Sequence, residues 1–353
     1  MNTFKARSGK RRRLPADAVR VGFNYLTAVY GGDRVPPPAP AALLIGITNK
    51  CNLRCDFCFH AGNDIPTGLR RPKGLMTEER FAAIIDQARG WCTHLHFGLF
   101  GEPTLHPRFL DFVRLAVEAQ LTVAVFTNGT LLDAERAREL VEIGPASVTF
   151  SLEGHTPEEY TRLRVGSRWD GVMDNLRGLV AAKRAAGRRC PVIVARGIAL
   201  ESLAGQRRAH ADYYRAMGVD QVMWMPAANW SGSLRGPQGS VPASVPPERT
   251  QRCTFPSLQL GIDWDGTAVP CCADFNAKNA LGNVDVTSLR DLWNGAELAG
   301  LRRSLATCSR DHIDATTGCA GCSSLSQPAL SLEKKLQLVQ MAIGEFGAQF
   351  ADG

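Results

Sequence analysis

TNKCNLRCDFCFH, residues 48–60, follows directly on an apolar run, Leu43–Thr48, that reads as a β-strand. Cys51, Cys55 and Cys58 stand in a C-x3-C-x2-C spacing on the loop that leaves this strand. Three thiolates so placed can hold three irons of a [4Fe-4S] cube and leave the fourth iron open to a small molecule. A tetrahedral zinc site would need a fourth ligand, for which His60 is the candidate.

Beyond this loop the chain alternates. Strand-like runs at Leu43–Thr48, His94–Phe100, Thr122–Phe126, Ser147–Leu152, Val192–Ile198 and Gln221–Met225 are separated by helical patterns near 77–89, 107–120, 133–143, 171–186 and 205–217. Pro107 suits a first helical turn, and Asp133 suits an N-cap. Such alternation predicts parallel βα units. Six units fall short of the eight that close a barrel, so the expected fold class is α/β, a partial (β/α)6 TIM-like barrel. Loops at the C-terminal ends of its strands, the cysteine loop among them, then build the active site.

The remaining segments frame this body. Residues 1–40 read as a basic arm and Pro-rich linker, 41–227 as the partial barrel, and 228–252, rich in Gly, Pro and Ser, as a linker or loop. Residues 253–325 are Cys-rich with no βα alternation, and 326–353 carry the periodicity of a C-terminal helix. No internal repeat is apparent.

Composition bounds the function. The chain has 353 residues, 44% hydrophobic and 21% charged, which suits a sizeable core and excludes wholesale disorder or a small disulfide scaffold. Net charge is +7, yet six positives, Lys5, Arg7, Lys10, Arg11, Arg12 and Arg13, precede the first acid, and the rest balances at 35 against 34. A nucleic-acid surface would spread its charge, so no nucleic-acid partner is expected. No apolar run reaches a membrane span and the first residues lack a secretory pattern, so a cytoplasmic location without a membrane partner is expected. In that compartment eleven cysteines point to metal or clusters rather than disulfides.

The cysteine loop resembles that of the radical S-adenosylmethionine (SAM) superfamily. In that family the open iron chelates SAM, an electron cleaves the sulfonium, and the resulting 5′-deoxyadenosyl radical takes hydrogen from a substrate. Gly98-Leu99-Phe100-Gly101-Glu102-Pro103 resembles the GGEP segment that binds the SAM ammonium group, with Phe100 in place of its first glycine. The resemblance thus implies SAM contacts for Gly101, Glu102 and Pro103. It also implies Phe57 against adenine, Asn128 in the Thr127-Asn128-Gly129 turn, and Ser151 of Ser151-Leu152-Glu153-Gly154 near the ribose or carboxylate. Arg164 of Tyr160-Thr-Arg-Leu-Arg164 pairs with the SAM carboxylate on the same reading.

The C-terminal part, with Cys253, Asp265-Gly266, Pro270-Cys271-Cys272, Leu281-Gly282-Asn283, Leu289-x-x-Leu292-Trp293 and Cys319-x-x-Cys322, resembles the SPASM/Twitch extension that binds auxiliary clusters. The resemblance implies one auxiliary [4Fe-4S] cluster held by Cys253, Cys271, Cys319 and Cys322, with Cys272 or Cys308 as possible replacements and a structural zinc knuckle as the bland alternative. The implied chemistry is oxidation of a small-molecule, sugar- or aminocyclitol-like substrate of a natural-product pathway, the auxiliary cluster accepting the electron. Epimerisation of a similar substrate, using a cysteine hydrogen donor among Cys92, Cys190, Cys272 and Cys308, and peptide maturation are the alternatives. A non-catalytic iron–sulfur protein is a fourth. A reducing partner such as flavodoxin or ferredoxin is implied. Trp224, Met225, Asn229 and Trp230 are candidates for the barrel mouth, His94, His96 and His106 read as structural, and no general base is evident.

Overall fold

The computed structural model describes residues 37–60, 68–230 and 253–306, together with 319, 322 and 323. Cys308, the basic arm up to residue 36 and the expected C-terminal helix lie outside the described residues, as does most of the 228–252 segment.

Six strands, β1 (Ala42–Ile45), β2 (His94–Phe97), β3 (Thr122–Thr127), β4 (Ser147–Ser151), β5 (Val192–Ala199) and β6 (Gln221–Pro226), pair in parallel and in chain order. Parallel neighbours need crossover connections, and helices supply them. These are α1 (Glu78–Ala88), α2 (Phe109–Glu118), α3 (Ala134–Ile143), α4 (Pro157–Leu163), α5 (Trp169–Ala185) and α6 (Arg207–Met217). The result is the expected mixed α/β architecture, a partial TIM-like barrel with a small C-terminal domain.

Strand alternation divides the barrel into two faces. Leu43, Ile45, Leu95, Phe97, Val123, Val125, Val148, Phe150, Ile193 and Ala195 point outward into one core shared with the helices. The helices answer with apolar stripes, such as Phe81, Ile84, Ile85 and Ala88 of α1. Their ends follow local chemistry. Asp133 caps α3, its Oδ1 accepting from the amides of Glu135 and Arg136. Pro107, expected in a first turn, instead precedes the N-cap Arg108 of α2. Its fixed φ and missing N–H suit that approach equally. The seven-residue α4 escaped the sequence reading; Thr156 caps it and Pro157 opens it.

The Cys-rich segment continues the barrel sheet. After a short turn of helix, α7 (Phe255–Leu258), strand β7 (Gln259–Ile262) joins the barrel sheet in parallel with β1. Strands β8 (Thr267–Val269) and β9 (Gly282–Asn283) extend it antiparallel. The order is β6-β5-β4-β3-β2-β1-β7-β8-β9, one nine-stranded sheet. Gly266 turns the β7–β8 hairpin at φ 85°, a left-handed conformation that favours glycine. Helix α8 (Leu289–Asn294) buries Leu289, Leu292 and Trp293, and Trp293 donates its indole N–H to Pro37 O at 2.8 Å. Helix α9 (Ala296–Ala306) follows, and Arg302 lies 4.0 Å over the Trp293 ring. Arg80 of α1 grips Asp285 in a two-pronged ion pair at 2.6 and 2.9 Å. No helix among the described residues is long and apolar enough to cross a membrane.

Candidate active site

The loop after β1 is held from below. Thr48 Oγ1 donates to Gly74 O at 2.7 Å, while Asn49 donates to Pro72 O at 2.8 Å and accepts from the Gly74 amide at 3.0 Å. From the β2 side, Gly101 presses against the same backbone. A Cβ there would sit 2.4 Å from Thr48 O and 2.6 Å from Lys50 O. Only glycine permits that approach, and the Glu102 amide completes it by donating to Lys50 O at 2.9 Å.

This foundation brings Cys51, Cys55 and Cys58 to one place. All three are free thiols, and with Leu53, Phe57, Leu163, Leu200 and Leu203 they form a small apolar cluster of their own. Burial pushes Cys51 up to about 11 and Cys58 up to about 12, and the charge of Cys55 on both, with that of Cys51 on Cys58, pushes the same way. Such a set resists ionising alone; ligation to a metal is what deprotonates a buried thiol. Three soft sulfur donors in one apolar cluster have the donor chemistry of an iron–sulfur cluster. His60, the candidate fourth zinc ligand, directs Nε2 to Phe100 O at 2.7 Å.

Phe57 and Arg164, among the residues assigned to SAM, lie beside these sulfurs, and the others sit on the neighbouring loops. Phe57 is buried beside Cys55, and the Arg164 guanidinium lies 5.2 Å over its ring. Arg164 also pairs through Nε with Glu153 and directs Nη1 to Cys55 Sγ at 3.6 Å. Glu102 accepts from the Thr104 amide (3.1 Å), Thr104 Oγ1 (2.6 Å), Thr127 Oγ1 (2.7 Å) and the Asn128 amide (2.7 Å). Its carboxylate is therefore a strut between the β2 and β3 loops. Pro103 opens a buried single turn of 3-10 helix behind it. Asn128 donates to Asn52 Oδ1 at 2.9 Å, tying the β3 turn to the cysteine loop. Ser151 ends β4 on the concave face, 3.5 Å from Arg196 Nη2.

A second group of thiols gathers beyond β7. Cys253, Cys271, Cys272, Cys319 and Cys322 are all free. Burial pushes Cys253 up to about 12, reinforced by the charges of Cys322, Cys319 and Cys272. Burial raises Cys271 and Cys272 as well, with the charges of Cys272 and Cys253 adding to it at Cys271 and that of Cys322 at Cys272. Ser323 locks the C-x-x-C to the chain after β6, exchanging hydrogen bonds of 2.8 and 3.1 Å with Asn229. These donors fit a cluster on the same chemical ground as the first set.

One aromatic layer touches both groups. Phe59 stacks on Phe275 at 4.4 Å and meets Trp230 edge-on at 4.9 Å. Cys58 and Cys272 both pack against the apolar cluster to which these rings belong. Trp230 also donates to Phe57 O at 2.8 Å. Of the other mouth candidates, Trp224 lies against His210 of α6 at 4.5 Å and also packs on the apolar cluster that holds Cys51, Cys55 and Cys58. Cys92 lies in the helix-side core, its thiol donating to His94 O at 3.1 Å, which removes it from the concave face. His106 is structural, bonded to Met76 O at 2.9 Å. Arg196, which the sequence reading passed over, faces the barrel interior; its signal was a lone charge inside the apolar run VIVARGIA.

Comparison with known proteins agrees with this geometry. The Radical SAM superfamily model matches residues 45–194, and the SPASM model, an iron–sulfur cluster-binding domain, matches 253–323. A tungsten-containing aldehyde ferredoxin oxidoreductase cofactor-modifying protein of Pyrococcus furiosus is 27% identical, over 74% of this chain and 82% of its own length. A PqqA peptide cyclase of Streptomyces rochei is 26% identical, over 87% of this chain and 93% of its own length. The crystal structure of BtrN in complex with AdoMet and 2-DOIA shares the fold at TM-score 0.53 and 19% identity, over 80% of this chain and 92% of BtrN.

Proposed function

We infer, from a chain that belongs to the radical SAM superfamily and carries a SPASM domain, that it dehydrogenates an alcohol of a small sugar- or aminocyclitol-like substrate. The observation that carries this reading is the shared aromatic layer. Cys58, of the SAM-side triad, and Cys272, of the second group, pack on the same apolar cluster, whose rings include Phe59 and Phe275. That proximity suits an oxidation in which an electron leaves the substrate after the hydrogen atom does.

When bound, the SAM-binding cluster supplies the electron that cleaves SAM, and the auxiliary cluster supplies a sink for the electron the substrate releases. The reaction balances: the substrate loses one hydrogen atom from carbon, one hydroxyl proton and one electron, and becomes a carbonyl compound. One reductant electron per turnover and one SAM yield methionine and 5′-deoxyadenosine. A reducing protein such as flavodoxin or ferredoxin would supply it. Cys51, Cys55 and Cys58 would hold the first cluster, and Cys253, Cys319, Cys322 and Cys271 or Cys272 the second. The chain's other residues orient the reactants. Gly101 and Glu102 hold the β2 loop against the cysteine loop, and Phe57, Ser151 and Asn128 line the face that SAM would occupy. Arg164 neutralises Glu153 beside Cys55.

Peptide modification is the second reading, favoured by the likeness to a PqqA peptide cyclase. Mass spectrometry of products from sugar and peptide substrates, with SAM and reductant, separates the two. A product two hydrogens lighter, formed with one SAM consumed, supports dehydrogenation. Incorporation of one solvent deuterium without oxidation favours epimerisation and overturns it.

A further inference from the structure

Four side chains share the concave face near the C-terminal ends of the strands: His96 on β2, Phe126 on β3, Ser151 on β4 and Arg196 on β5. Their neighbours Leu95, Phe97, Val125, Phe150 and Ala195 belong to the helix-side core, so strand alternation turns these four inward. Arg196 alone among them is charged. Its guanidinium lies 4.8 Å over the Phe126 ring, and its hydrogen bond among the described residues is the 3.5 Å contact with Ser151 Oγ. No carboxylate of the described residues lies within ion-pair distance of it. Of the two groups whose negative charge reaches it, Glu153 is bonded to Arg164 and Cys272 belongs to the second group of thiols. His96 stands by Phe126, ring centroids 5.5 Å apart, and burial holds it neutral, down to about 3.

A guanidinium in such a place is costly until an anion meets it. A planar fork backed by an aromatic face suits an oxyanion, and a single guanidinium balances the one charge of a carboxylate but not the near-double charge of a phosphate monoester. An ammonium would find repulsion there and no acid to pair with among the inward-facing residues named.

We propose that Arg196 receives a carboxylate carried by the substrate, so that the barrel interior selects acidic over aminated molecules. The proposal rests on the reading of a small hydroxylated substrate and narrows it. The carboxylate of SAM is the rival source of the same chemistry, and the experiment separates the two.

Full-length enzyme with both clusters reconstituted is given D-glucuronate, D-glucose and D-glucosamine as matched probes, with binding measured by equilibrium dialysis in the presence of SAM. Glucuronate is expected to bind at least about tenfold more tightly than glucosamine, as a charge-assisted hydrogen bond would give. Arg196→Gln should bring the ratio to within about twofold, and Arg196→Lys should keep part of it. SAM affinity, read from the change SAM causes in the electron paramagnetic resonance of the reduced cluster, should stay within about twofold in Arg196→Gln. Equal or amine-favouring binding by the wild type overturns the proposal, as does the absence of saturable glucuronate binding. So does a tenfold loss of SAM affinity with the probe ratio unmoved, which would give the residue to the cofactor. Failure of the dehydrogenation reading shows separately, as a product that is not a carbonyl compound, and leaves the probe ratio where it is.

Discussion

Glu102 illustrates how much one buried carboxylate can organise. Its four accepted hydrogen bonds join Thr104, Thr127 and Asn128, so two active-site loops depend on it. Glu102→Gln replaces an acceptor with an NH2 that faces donors, and should cost about 1–3 kcal/mol. Thermal melting of the reconstituted protein measures the loss; an unchanged melting point would refute the strut. Asp263 offers a pH test. Burial outweighs Arg71 and pushes its carboxyl up to about 6. Because the folded pKa lies above the unfolded one, the native state binds more protons between about pH 4 and 6. Stability should therefore fall as pH rises through that window, by ~3 kcal/mol or less, and stay lower above it. Asp263→Asn has no carboxyl to titrate, so its stability relative to wild type should improve from pH 4.5 to 7.5. Parallel profiles in denaturant titrations would sink the assignment.

Among elements, the cysteine loop and the β2 loop form one unit. Gly101→Ala sets a methyl against two carbonyl oxygens, an overpacking worth about 1–3 kcal/mol. The variant should lose iron from the SAM-side site while the second site keeps its own. An iron assay with 5′-deoxyadenosine detection reads both effects, and full iron with normal cleavage would contradict them. The regular elements were legible in the chain because their signals are local. Runs such as Thr122–Phe126, and helices with clear caps such as Asp133, came within a residue or two of their bounds. Helix α4 is two turns long, below the length at which periodicity speaks. The cysteine spacings were legible for the same reason. The Arg164–Glu153 pair, by contrast, depends on how the loops after β4 fold back, and Arg196 acquires its meaning only when β3 and β4 place Phe126 and Ser151 beside it. Neighbours that distant leave no spacing to read.

For the whole molecule, the expected content is about eight irons per chain, four for each cluster. Replacing Cys51, Cys55 and Cys58 together by Ala should leave about four and abolish 5′-deoxyadenosine formation. Replacing Cys319 and Cys322 should leave SAM cleavage in the absence of substrate but stop net turnover. Retention of about eight irons in either variant would contradict the corresponding ligand set. Both sites hang on a framework with few seams: the Arg80–Asp285 pair, the Trp293 indole against Pro37, and above all the sheet itself.

That sheet sets how the protein can be divided. Because β7 is hydrogen-bonded to β1, a fragment ending before residue 253 would strip the partner from the strand that carries the cysteine loop. Its bare N–H and C=O groups would invite pairing with another copy, a ready template for aggregation. The βα half and the Cys-rich half thus share a spine, and evolution or an engineer exchanging one for a foreign counterpart must graft along that seam rather than across it.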